Sequence, residues 1–173
     1  MYKEGRIDIV KLMLLNGYND YTKGLEAACE VGNIEIVKLI LEYDPNPFWG
    51  FLYACRGGHI AIVNLLIDKG NYNMGLQFAC EGGHDAVVNM MLSLGANDYN
   101  EAFIGACIFG HIEIVKMMID LGANDYNAAL YWVCFLKYDT IVKMLLELGA
   151  NNYQHLDIID NLECYILYTR LTK

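Results

Sequence analysis

The chain is built from a segment that recurs every 25 to 27 residues. The sequence Gly-Ala-Asn-Asp-Tyr-Asn occurs at residues 95–100 and again at 122–127, and Gly-Ala-Asn-Asn-Tyr follows at 149–153. A valine column and a cysteine column keep the same spacing: Val10, Val37, Val63, Val88, Val115 and Val142, and Cys29, Cys55, Cys80, Cys107 and Cys134. A period of about 20 to 50 residues indicates stacked repeats, each in contact with its neighbours, rather than a fold around one pocket.

Each repeat is predicted to form two short helices. In residues 101–127, a stretch rich in small and apolar side chains is followed by Gly110, the residue type that best tolerates the left-handed turn after a helix. A second helix follows and ends at Gly122, with three apolar residues on one predicted face: Ile112, Val115 and Ile119. Because helices of about ten residues are marginal alone in water, neighbouring pairs must stack to be stable.

The repeats predict one continuous domain over residues 1–173. The chain has two prolines and no linker-like run. We expect a partial first repeat, five repeats and a degenerate closing helix: 5–21; 22–46, 47–73, 74–100, 101–127 and 128–153; and 154–173. The partial repeat leaves an apolar end without a cap, which favours self-association there, or a chain that is a fragment or remnant of a longer protein.

The charge balance argues against nucleic acid as a partner. The net charge is −9 with a pI near 4.7, whereas nucleic-acid affinity comes mainly from lysine and arginine that neutralise phosphates. An acidic surface also disfavours anionic membranes, and no uncharged apolar run approaches the roughly 18 residues of a spanning helix. The first six residues lack a secretory pattern, so we expect an intracellular protein.

The cysteines raise the question of a metal site. Five of the six occupy equivalent positions in successive repeats, so reduced, buried thiols are expected instead of disulfides. Three of them are followed by histidine at the fourth position: Cys55 and His59, Cys80 and His84, and Cys107 and His111. A glycine ends the helix between each pair, and neighbouring first helices about 8–10 Å apart could not both reach one zinc ion. We therefore favour a turn histidine that bonds nearby backbone, with no metal or cofactor.

No arrangement of residues predicts catalysis. An enzyme needs a nucleophile, a base and an orienting group that converge, whereas a repeat column presents the same residue at regular intervals. Acidic residues recur at the start of the second helices, where the helix dipole is a sufficient reason for their presence: Glu35, Asp85, Glu113 and Asp139.

Aromatic residues are better candidates for function. They recur at the connections between repeats: Tyr21, Phe48, Tyr72, Tyr99, Tyr126 and Tyr153. Each ring either packs over a junction between two repeats, the interpretation we favour, or contacts a partner. The first helices offer a second candidate surface, because their sequences differ most between repeats. The candidate partner-binding residues are Phe48, Trp49, Tyr53, Tyr72, Gln77, Tyr99, Phe103 and Tyr126; Phe103 also fits a core position.

The repeats resemble those of the ankyrin family. Residues 54–63, Ala-Cys-Arg-Gly-Gly-His-Ile-Ala-Ile-Val, and 106–115, Ala-Cys-Ile-Phe-Gly-His-Ile-Glu-Ile-Val, are similar to that family's Ala-Ala-x-x-Gly-His-x-x-Ile-Val core. The resemblance implies an all-α solenoid of stacked antiparallel helix pairs that binds proteins without catalysis or cofactor. Family repeats have about 33 residues and a Thr-Pro-Leu-His start. The shorter unit here, without that tetrapeptide, implies shortened or absent β-hairpins.

Short repeats joined by Asn-Asp-Tyr-Asn are similar to those of ankyrin proteins from giant amoeba-infecting, mimivirus-like DNA viruses. The resemblance implies a protein-interaction scaffold that binds a host or viral protein through its concave or loop surface. The alternative is a structural or virion-associated component that self-assembles through its first half-repeat.

Overall fold

The structure, a computed structural model, describes residues 20–43 and 46–151. The chain divides into two compact units, Met1–Ala96 (unit 1) and Asn97–Lys173 (unit 2), and each is described by itself. The first part of the N-terminal half-repeat and the closing helix at 154–173 lie outside the described residues. The predicted single array and its repeat boundaries stay predictions.

Both units consist of short helix pairs. Unit 1 contains α1 (Tyr21–Glu30), α2 (Ile34–Leu41), α3 (Phe48–Arg56), α4 (Ile60–Leu66), a 3-10 helix (Ile67–Lys69), α5 (Tyr72–Gly82) and α6 (Asp85–Ser93). Unit 2 contains α7 (Tyr99–Phe109), α8 (Ile112–Asp120), α9 (Tyr126–Leu136) and α10 (Asp139–Glu147). The odd-numbered helices are the first helices of their repeats, and the described part of the chain contains no β-strand. The all-α fold prediction is confirmed.

Glycines end the helices at the predicted places. Gly110 after α7 and Gly122 after α8 adopt left-handed backbone, with φ of 80° and 108°. At the end of α8, the Gly122 amide donates a hydrogen bond to the Ile119 carbonyl, and the Ala123 amide donates one to the Met118 carbonyl. This pair of hydrogen bonds is typical of a helix C-terminus closed by glycine. Helix α9 is different, because the left-handed residue that ends it is not a glycine but Lys137, with φ of 60°.

The core lies between the two helices of each pair and between successive first helices. In unit 1, α1 packs on α3 and α3 on α5; in unit 2, α7 packs on α9. The α8 residues that are fully buried are Ile114, Val115 and Met118. Of the three residues predicted on the apolar face of this helix, Val115 is buried, whereas Ile112 and Ile119 are half-buried. This helix is apolar on most sides, so periodicity alone does not choose its buried face.

Small residues let the first helices approach closely. A Cβ atom added at Gly50 of α3 would lie 3.0 Å from Leu25 and 3.1 Å from the Cys29 sulfur of α1. At Gly82, the last residue of α5, an added Cβ would collide with the Arg56 carbonyl oxygen at the end of α3. The glycine is therefore required by the backbone of the preceding repeat.

Asparagine side chains join consecutive repeats in unit 2. The Asn100 side-chain oxygen accepts hydrogen bonds from the backbone amides of Asn124, at 2.8 Å, and Asp125, at 3.2 Å. One repeat later, the Asn127 side-chain oxygen accepts from the Asn151 amide at 2.8 Å. Asn100 and Asn127, each near the start of a first helix, therefore hydrogen-bond the loop that follows the second helix of the same pair.

We predict that Gly82→Ala lowers the free energy of unfolding by about 1–3 kcal/mol, because the new methyl group must displace backbone rather than a flexible side chain. Urea denaturation of the full chain measures the change.

Gly24→Ala in α1 is the matched control. Its Cβ would meet only the tip of Ile40, at 3.2 Å, and alanine favours helix over glycine by up to about 1 kcal/mol. Equal unfolding free energies for the two variants would contradict the close-approach argument.

Candidate functional site

The first helices of unit 1 present a half-exposed surface with aromatic residues at its centre. We call unit 1 surface a set of eight exposed or half-exposed side chains of α1, α3 and α5: Glu26, Glu30, Trp49, Tyr53, Arg56, Gln77, Phe78 and Glu81. They follow helical spacing, as in Trp49, Tyr53 and Arg56 of α3, so each helix presents one stripe. Trp49 is 43% exposed.

A ring pair spans two repeats on this surface. Tyr53 of α3 and Phe78 of α5 meet edge to face, with ring centroids 5.9 Å apart. The ring of Trp49 packs in the same manner on Phe48, at 5.4 Å. Phe78 was not predicted from sequence; it lies two residues before its column cysteine, as Tyr53 does, and this equivalence could have identified it.

Acidic residues lie on the two helices that pack on either side of α3. Glu30 is exposed at the end of α1, and Glu26 lies one turn before it. On α5 the Gln77 amide donates a hydrogen bond to the Glu81 carboxylate at 3.0 Å, which fixes Gln77 along its own helix. The surface therefore combines rigid apolar area with carboxylates that favour a partner carrying positive charge.

The recurring aromatic residues lie at the N-termini of the first helices. Tyr72, Tyr99 and Tyr126 are the first residues of α5, α7 and α9, and all three are half-buried. The Tyr126 ring meets the Phe103 ring of the preceding repeat edge to face, at 5.9 Å, so its predicted packing over a repeat junction is confirmed. Phe103 is fully buried. It belongs to the core, and its assignment to a partner-binding surface is corrected, because no part of its ring is accessible.

The turn histidine of the second repeat performs the structural role that sequence favoured. The Nε2 atom of His59 lies 2.9 Å from the backbone oxygen of Glu30 in the preceding repeat. Its ring covers Gly32, where an added Cβ would lie 2.5 Å from ring atoms, and the ring of His84 covers Gly58 in the same way. Within residues 20–43 and 46–151, no three His, Cys, Asp or Glu side chains form a group that could hold a metal ion.

The column cysteines are core residues. Cys29, Cys55, Cys80 and Cys107 are free thiols with no exposed surface. Burial raises the pKa of each thiol from 9.0 to about 12, and at Cys80 the carboxylates of Glu81 and Asp85 act in the same direction. Such thiols are poor nucleophiles and metal ligands, since both roles need the thiolate.

The last column member, Cys134, is disulfide-bonded. The expectation of reduced thiols is wrong at this position. The equivalent positions of the five cysteines argue only against disulfides between those five. The sixth cysteine, Cys164, lies outside the described residues.

Unit 2 exposes aromatic residues that were not among the sequence candidates. On α9, Tyr131 and Trp132 are 53% and 47% exposed and Phe135 is 70% exposed. The equivalent positions in α5 are Gln77, Phe78 and Glu81. The signal available in the sequence was the replacement of Gln77 and Glu81, which are polar in α5, by large aromatic residues at the equivalent positions of α9.

Stacked pairs of short antiparallel helices, closed by glycine turns and joined without a β-strand in the described residues, define a helical-repeat protein. The family model for ankyrin repeats in three copies matches residues 25–101 and 76–155. The chain belongs to the ankyrin repeat family.

A solved structure supports the same assignment. The ankyrin repeat domain of human ASB11, a crystal structure, is similar to this chain with a TM-score of 0.54 and 27% sequence identity, over 73% of this chain and 69% of that chain. No curated protein matches the sequence. Ankyrin repeats are typically protein–protein interaction modules without catalytic activity. Every helix in the described part of the chain is too short or too polar to cross a membrane.

We predict that the buried thiols reduce stability at alkaline pH. Above pH 9 the thiols of the unfolded chain lose protons, while those of the folded chain keep them up to about pH 12. The unfolded state then binds fewer protons, so the free energy of unfolding falls by up to about 1.4 kcal/mol per pH unit for each thiol.

Comparison of the parent with Cys55→Ala isolates one thiol, because titration of tyrosine and lysine cancels. We expect the stability advantage of the parent over this variant to shrink between pH 9.5 and 11 in urea denaturation. Val63→Ala, a buried substitution without a titrating group, should keep a constant difference. Parallel pH curves for the parent and Cys55→Ala would refute the prediction.

Proposed function

We propose that the chain is a non-catalytic binding module that holds a host or viral protein against the unit 1 surface. The observation that carries the proposal is the Tyr53–Phe78 ring pair beside Trp49, which is 43% exposed. Large rigid rings bury much area at a small entropic cost, and tryptophan and tyrosine are enriched in binding hot spots.

Packing keeps these rings in place before a partner arrives. Tyr53 and Phe78 hold each other across two repeats, and Trp49 is held by Phe48. A surface ordered in advance loses less side-chain freedom on binding. Phe48 and Gln77 therefore act as supports for this surface, and Tyr72 remains a predicted contact at the start of α5. The prediction for Tyr99, the first residue of α7 in unit 2, is separate from the unit 1 surface.

The carboxylates of the unit 1 surface select the partner's chemistry. Glu26, Glu30 and Glu81 favour a partner that presents basic and polar groups around an apolar centre. The resemblance of the short repeats to those of giant amoeba-infecting viruses supports a viral origin and an intracellular site of action, with an amoebal or viral protein as partner.

Affinity capture from an amoeba lysate tests the proposal. The full chain should retain a protein that Trp49→Ala and Tyr53→Ala lose by at least about tenfold, as expected when a hot-spot side chain is truncated. Far-UV circular dichroism of each variant checks that the helices are intact.

Tyr43→Ala is the matched control. Tyr43 is an equally exposed aromatic residue, 47% accessible, that follows α2 and stacks on Tyr21. We expect this variant to capture the partner as the parent does. Undiminished capture by Trp49→Ala and Tyr53→Ala together would reject the unit 1 surface.

A further inference from the structure

The last described repeat carries an apolar stripe that the unit 1 surface does not explain. We call unit 2 stripe the four exposed residues Tyr131, Trp132, Phe135 and Leu136 of α9, which are 39% to 70% accessible. Their i, i+1, i+4 and i+5 spacing places them on one side of the helix. The opposite side is buried, through Ala129, Leu130, Val133 and Cys134. The stripe is thus additional to the face that the core requires.

The neighbouring first helix extends the apolar area. Helix α7 packs on α9 and presents half-exposed Ile104 and Ile108 at the same helical positions as Tyr131 and Phe135. The rings of Tyr131 and Trp132 meet edge to face with centroids 5.3 Å apart, so the stripe is ordered by its own contacts. An apolar area shared by two helices is unusual on a surface that otherwise carries charge.

A cavity lies at the turns that follow α7 and α9, next in sequence to Ile108 and Leu136. It has a volume of about 350 Å³ and is lined by Phe109, Ile112, Tyr138 and Ile141, together with Lys137 and Asp139. In unit 1 a histidine ring packs against the glycine of the equivalent turn and fills the space there, as His59 does at Gly32. Here Tyr138 replaces the histidine, and its ring atoms would lie 3.5 Å or more from a Cβ at Gly110, so the turn is more open. The volume is sufficient for one large apolar side chain.

Charge decides which occupant fits. Residues 97–151 include seven Asp or Glu and three Lys. One of those lysines, Lys116, is paired with Glu113 at 2.8 Å, and Lys137 already interacts within the chain. Glu101 precedes Ile104 on the exposed side of α7, and Asp139 lines the cavity. Carboxylates therefore lie at both ends of the apolar area.

We propose that the unit 2 stripe and its cavity bind a basic amphipathic helix of a partner protein. The apolar side of that helix packs on Tyr131, Trp132 and Phe135, with one large side chain in the cavity, and its lysine or arginine residues lie opposite Glu101 and Asp139. Apolar anchors at i, i+3, i+4 and i+7 suit such a surface. A second copy of this acidic chain is disfavoured by like charge at the same positions.

Fluorescence anisotropy with the full chain tests the assignment. The probe is a labelled helical peptide of about 14 residues, with leucine at the spacing above and lysine elsewhere. Its analogue with glutamate for lysine keeps the apolar pattern and reverses the charge. We expect the lysine peptide to bind at least tenfold more tightly than the glutamate peptide, and its affinity to fall as salt increases.

Variants assign the binding to the stripe. Phe135→Ala should weaken the lysine peptide about tenfold, while Phe135→Leu keeps most of the affinity. Val31→Ala, which truncates an exposed apolar residue of unit 1 that is 66% accessible, should have no effect. In a Trp49→Phe background Trp132 is the remaining tryptophan, and its emission should shift to shorter wavelength when the peptide binds.

Three results would overturn the proposal. Equal affinity of the parent and Phe135→Ala, or an unchanged Trp132 emission, would remove the stripe from the binding surface. A concentration-dependent dimer in sedimentation that Phe135→Ala abolishes would make a second copy the occupant. Because these readouts report residues of unit 2, their failure leaves the proposal for the unit 1 surface untouched.

Discussion

The close approach of successive first helices is the constraint on which the rest of each unit depends. Gly50 lies against Leu25 and Cys29, and Gly82 lies against the backbone of Arg56. Only small side chains permit this distance, which explains why glycine, alanine and cysteine recur at the same positions. Since a helix pair this short cannot bury its own apolar surface, stability comes from the contact between repeats, and a single larger side chain there disturbs two repeats at once.

Hydrogen bonds from side chains link neighbouring repeats. The described residues contain no β-strand that could do so. In unit 1 the His59 ring lies against Gly32 of the preceding repeat, and its Nε2 atom is within hydrogen-bond distance of the Glu30 carbonyl oxygen. In unit 2 the Asn100 side chain accepts two backbone amides of the following repeat. These bonds connect backbone groups to side chains at fixed register, so they align the repeats in addition to satisfying polar groups.

The regular scaffold leaves one side of each first helix free to vary. Unit 1 uses it for a ring pair between carboxylates, whereas unit 2 uses it for an uninterrupted aromatic stripe beside a cavity. The buried positions of the same helices change little, because they must fit the neighbouring repeat. Binding chemistry can therefore differ between the two units without a change in the fold.

The sequence by itself determined the repeat, the two-helix unit, the glycine turns and the buried cysteine column, because each depends on local geometry at a fixed spacing. It also named Trp49 and Tyr53 as candidates for partner binding, a role that stays a prediction. Tertiary structure alone decided that Phe103 is buried under Tyr126, that Phe78 pairs with Tyr53, and that Phe135 is exposed. An aromatic residue on a short apolar helix fits either face, and only the position of the neighbouring repeat determines which of its faces is covered.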